Sequence, residues 1–126
     1  MSISRGEIYW VEFDPVKGSE QRGLRPAVVV QNDVGNRFSP TTVVAAITRT
    51  IPPKPYPFVV IIEAEETGLP DRSVVNCSQI ATIQVSGSGS RMRPPPGETK
   101  VRAVGRLGRK SLDRIGAALR YNSSLE

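Results

Sequence analysis

Histidine is absent from this 126-residue chain, which removes the usual imidazole acid–base catalyst and the commonest transition-metal ligand from any chemistry it performs. Cysteine occurs once, at Cys77. That excludes an internal disulfide and a cysteine metal cluster, and it fits a reducing compartment. Read plainly, Cys77 is a small core hydrophobe. No apolar run has the length of a membrane span or a signal segment, so a soluble, cytoplasmic protein without membrane association is expected. Acidic residues are outnumbered, 12 against 17 Lys plus Arg, for a formal charge of +5, a balance that suits a polyanionic partner. The length predicts a single domain, 1–126, with no repeats.

What is present is mostly strand-forming. Residues 7–13 are β-branched and aromatic between Gly6 and Asp14-Pro15, and apolar on both faces. Residues 26–30 (PAVVV), 42–48 (TVVAAIT) and 58–62 (FVVII) are apolar runs of strand length. Residues 73–75 and 79–85 make a fifth strand region with a kink near Asn76 and Cys77. Residues 100–107 alternate as a sixth, half-exposed strand. Between them, 32–40 carries turn chemistry throughout, four prolines stiffen 49–57, and 86–100 reads as a flexible, basic insertion unable to build a core. Ser111 caps a terminal helix with Leu112, Ile115 and Leu119 on one face. These elements predict a mainly β fold with helices, a small barrel or curved antiparallel sheet carrying a C-terminal helix.

The polar features concentrate between residues 18 and 48. A loop holding Gly18, Ser19, Glu20, Gln21, Arg22 and Gly23 precedes Arg25 at the entrance to a strand, and the next strand ends in hydroxyls at Thr48 and Thr50. A guanidinium there is suited to gripping a phosphate through its planar fork; position alone leaves an ion pair with Glu20 or Asp33 equally open. Ser19 as a nucleophile lacks a histidine base. The acidic residues Glu63, Glu65, Glu66 and Asp71 match no calcium loop and read as a solvated surface. No metal site and no cofactor are expected.

Arg5-Gly6-Glu7-Ile8, Gly18-Ser19-Glu20-Gln21, Arg25-Pro26-Ala27-Val28-Val29-Val30, Gln31-Asn32-Asp33 and Ala46-Ile47-Thr48, followed by the terminal Gly105-Arg106-Leu107 and helix, resemble the MazF (PemK/Kid) toxins of type II toxin–antitoxin systems. The resemblance implies a homodimer of SH3-like barrels that cuts single-stranded RNA at short sequences without a metal, held in check by a MazE-like antitoxin. It places Arg25 and Thr48 on the catalytic positions, and Ser19, Glu20, Gln21 and Gln79 where family members contact RNA. Arg22 and Asn32 join them as RNA-binding candidates. The same barrel occurs in the CcdB gyrase poisons, which cut nothing and are the alternative from another class. One departure stands out: Ala81 follows Gln79-Ile80 where many relatives carry an arginine.

Overall fold

Runs of Val, Ile and aromatic residues become strands because side chains branched at Cβ pack well on a pleated, half-buried surface. The computed structural model describes residues 2–13 and 23–123. In chain order they form β1 (Glu7–Phe13), β2 (Gly23–Val29), α1 (Asp33–Phe38), β3 (Thr41–Thr48), β4 (Val59–Ile62), α2 (Ala64–Thr67), β5 (Ser73–Gln84), β6 (Met92–Arg93), β7 (Gly105–Arg106) and α3 (Arg109–Ser123). The described strands make one antiparallel sheet in the order β4-β5-β3-β2-β1-β6, with β7 also on β1. It curls into a half-barrel bearing a C-terminal helix, the fold class expected.

Both faces of this sheet are covered, which is why β1 looks apolar on both sides. On one face Ile8, Val28, Ala45, Ile47, Val60, Ile62, Val75 and Cys77 pack with Leu107 and with Ile115 and Ala118 of α3. On the other, inside the curl, Tyr9, Val11, Phe13, Ala27, Val29, Val44, Ala46 and Ile83 meet Ile3 and Met92. Alternate residues of β2 and β3 therefore feed opposite cores, so a one-residue slip would exchange the two.

The structure shortens the sixth strand expected over 100–107 to β7, Gly105–Arg106, and corrects four further sequence expectations. Residues 33–38 are a short helix rather than a turn: the Asn32 side chain accepts from the Gly35 amide at 2.8 Å, an N-cap that overrides the glycine inside it. β2 begins at Gly23, ahead of Pro26, whose missing amide is tolerated because the β2–β3 ladder starts only at Ala27 opposite Ala46. Within 86–100, β6 pairs Met92 with Val11 and Arg93 with Trp10, burying Met92; the edge of β1 supplies the partners the segment lacks by itself. Finally, α3 starts at Arg109, so Ser111 lies inside it, and the Glu66 carboxylate accepts from the Gly108 amide at 3.0 Å at that terminus, where negative charge is favoured. The kink near Asn76 is present: on the side facing β3, residues 76–79 of β5 stand opposite Ala46 alone, a bulge that bends the strand.

Two buried ionisable groups set an alkaline limit. Burial pushes the Cys77 thiol from 9.0 up to about 11. Burial, then the charge of Glu7 and a hydrogen bond to it, push Tyr9 from 10.0 up to about 12. Below pH 9 both groups are protonated in the folded and unfolded chain, and stability is unaffected. Above it the unfolded chain loses protons that the folded one keeps, so stability falls as pH rises, by about 2 kcal/mol at pH 11 for the thiol. Urea unfolding of wild type and Cys77→Ala from pH 8 to 11 should show a shallower decline in the variant; parallel curves would refute the linkage.

Candidate functional site

The site grows from strand pairing. The β2–β3 ladder ends with Ala27 opposite Ala46, two residues short of both Arg25 on β2 and Thr48, the last residue of β3. Beyond them, Thr48 pairs with Val74 of β5 and Arg25 with Val11 of β1. Hydrophobic neighbours thus hold both polar groups at the rim, where each is half-buried. Partial burial lowers the local dielectric while leaving the groups reachable.

Arg25 and Thr48 line two adjoining clefts. The first, of about 610 Å³, is walled by Trp10, Pro26, Arg49, Leu69 and Asp71. The second, of about 700 Å³, adds Pro52, Tyr56, Phe58, Asn76 and Gln79. Thr50 borders both, and its amide donates to the Thr48 hydroxyl oxygen at 3.2 Å, which leaves the Thr48 O–H to donate elsewhere. In the bulge, Asn76 Nδ2 donates to Gln79 Oε1 at 3.1 Å while the Ser78 hydroxyl and amide both donate to Asn76 Oδ1. That network fixes the Gln79 carboxamide on the cleft wall.

Of the site residues expected from sequence, the structure brings Arg25, Thr48 and Gln79 together. Asn32 instead caps α1 and lines neither cleft. Ser19, Glu20, Gln21 and Arg22 lie outside the described residues. Asp33, the alternative partner offered for Arg25, accepts from the Arg5 amide at 2.7 Å, the main reason its carboxyl sits below the usual carboxylate range. The acidic loop is tied down in part: Glu63 pairs with Arg72 and Asp71 with Arg49, each at 3.2 Å. Both pairs are exposed and contribute little stability, but the second shapes the first cleft.

Sequence reasoning missed Trp10, Arg49, Tyr56, Phe58 and Asn76. The signals were weak: an aromatic at alternate positions of a proline-rich loop, and an Asn-x-Ser turn inside a strand. Beside Ala81 a smaller hollow of about 400 Å³ is lined by Arg91 and Glu12. The segment before β6 therefore brings a guanidinium next to the position that lacks one. Among the described residues no group of three or more His, Cys, Asp or Glu side chains could hold a metal ion, and no helix is long and apolar enough to cross a membrane.

The fold defines the class first: a curled antiparallel half-barrel with a C-terminal helix, bearing a cationic, hydroxyl-lined cleft at the rim of its sheet. The chain belongs to the PemK-like, MazF-like toxins of type II toxin–antitoxin systems, whose family model matches residues 4–122. It is 49% identical over 83 residues to the endoribonuclease EndoA of Bacillus subtilis (strain 168), covering 66% of this chain and 72% of that protein. Among solved structures it is similar to MazF (Form-I) from Deinococcus radiodurans, with TM-score 0.72 and 22% identity over 96% of each chain. It also matches an endoribonuclease in complex with its cognate antitoxin from Mycobacterial species, with TM-score 0.70 and 19% identity over 98% of this chain and 97% of that one. The gyrase-poison alternative is not the family matched.

Proposed function

We propose that this toxin is a sequence-specific, metal-independent endoribonuclease of the cytoplasm, working as a homodimer on single-stranded RNA and inhibited by a MazE-like antitoxin. The observation that carries the reading is that Arg25 and Thr48, each two residues past the end of the β2–β3 ladder, line the same two open clefts. Its relative EndoA is an endoribonuclease by name, and the +5 charge suits a polyanion.

RNA brings its own nucleophile, the ribose 2′-hydroxyl. Its oxygen forms a bond to phosphorus and loses its proton, the bond to the 5′-oxygen breaks, and that oxygen gains a proton. The products are a 2′,3′-cyclic phosphate and a 5′-hydroxyl. Guanidinium groups stay protonated in proteins and make poor bases, so Arg25 acts chiefly by holding the scissile phosphate and stabilising its growing negative charge. The Thr48 O–H donates to a non-bridging oxygen and helps fix the in-line geometry. Gln79 offers its carboxamide to a base edge, a contact open only to unpaired nucleotides. An acidic antitoxin segment would inhibit by occupying the same cationic clefts.

The test is to incubate purified protein and EDTA with a long unstructured RNA and to map every new 5′ end. Cuts at one short motif, each leaving a 5′-hydroxyl, are expected. Absence of cutting by folded protein, or cutting only when magnesium is restored, would overturn the reading.

A further inference from the structure

The second cleft carries a feature that phosphate chemistry does not use. Tyr56 and Phe58 stack with ring centroids 5.2 Å apart and planes within 9° of parallel. Both rings line the cleft that also holds Arg25, Thr48 and Gln79. A stacked pair covers one face of each ring, yet Tyr56, which lines the cleft, remains 40% exposed, so ring surface is left for a ligand.

The pair is built to stay in place. Pro52, Pro53, Pro55 and Pro57 restrict the backbone around it. The Tyr56 carbonyl accepts from the Val59 amide at 3.2 Å, and the Phe58 carbonyl accepts from the Cys77 amide at 2.8 Å. The second bond ties the pair to the β5 bulge that presents Asn76 and Gln79. An aromatic surface held beforehand loses little conformational freedom on binding.

We propose that Tyr56, backed by Phe58, is a stacking platform for a base flanking the scissile phosphate, with Gln79 reading that base's edge from the adjoining wall. This rests on the assignment of Arg25 and Thr48 as the reaction centre. Stacking accepts every base, because each has a π face, so the platform supplies affinity and the carboxamide supplies discrimination. The platform holds substrate and transition state alike, and its loss therefore raises KM while leaving kcat nearly unchanged.

The experiment compares wild type, Tyr56→Phe and Tyr56→Ala, each verified as folded by circular dichroism. Cleavage kinetics are measured on an RNA containing the mapped motif. Fluorescence is read on the same RNA with a 2′-deoxy sugar at the cut and 2-aminopurine placed in turn at nucleotides flanking it. Wild type and Tyr56→Phe should quench one position, and Tyr56→Ala should lose that quenching with a KM higher by about 5- to 150-fold. Cleavage by wild type with unchanged KM and quenching in Tyr56→Ala would overturn the platform and leave the ribonuclease intact. Retained quenching with weakened antitoxin binding would likewise overturn it, by assigning the rings to an antitoxin side chain. Failure of wild type to bind or cut RNA would overturn both readings together.

Discussion

Arg25→Ala should cut RNA about a hundred- to a thousandfold more slowly than wild type while unfolding at nearly the same temperature. The rate effect follows from position. Among the described residues Arg25 is the cationic side chain common to both clefts, and at a half-buried rim its charge is less screened than on an open surface. The small stability effect follows from the same placement: the apolar anchors of β2 are Ala27, Val28 and Val29, all buried, and truncation at residue 25 leaves them untouched. Arg25→Lys separates charge from geometry. An ammonium keeps the charge but not the planar fork that meets two phosphate oxygens, so an intermediate rate is expected. Single-turnover kinetics on a short RNA give the rates and a thermal melt gives the stability. A folded Arg25→Ala that cuts as fast as wild type would remove Arg25 from the reaction.

Gly105→Ala should lower stability on the order of 3 kcal/mol, or about 10 °C in melting temperature, as overpacking against immovable backbone does. A Cβ built on Gly105 would collide with the Thr67 carbonyl, and one on Gly68 with the Val104 carbonyl. The backbones after α2 and at β7 thus touch with no side chain between them. Gly68 also has φ +72 and ends α2 in the left-handed region, which L-residues with a Cβ adopt at a penalty. The contact matters to the site because Leu69, Pro70 and Asp71 leave α2 to wall the first cleft. Gly97→Ala is the control: its φ is +82 but nothing lies within 4 Å of a Cβ there, so the loss should be limited to about 1–2 kcal/mol of backbone strain. Equal melting temperatures for Gly105→Ala and wild type would mean that the two backbones separate freely.

Most strands were legible because their signal is local. Alternation, branching at Cβ and bounding turns act within a few residues, so β1, β3, β4 and α3 were placed close to their observed bounds. Ordered motifs along the chain were enough to assign the family and to single out Arg25, Thr48 and Gln79. Short elements were less legible. α1 depends on one side-chain cap at Asn32, and β6 exists only because the edge of β1 offers it hydrogen-bond partners.

The sequence by itself determined the class of fold, the histidine-free chemistry and the cationic balance, since composition and period need no partner. Only the tertiary structure decided which polar residues share a wall. Arg25 and Gln79 lie 54 residues apart with Thr48 between them, and strand register together with the bulge at 76–79 brings the three to one cleft. The same holds for Tyr56 and Phe58, which in sequence are two aromatics in a proline-rich stretch. The hydrogen bond from Cys77 to Phe58 fixes them in the cleft shared by Arg25, Thr48 and Gln79, because a contact between distant segments is set by packing and pairing that no local pattern encodes.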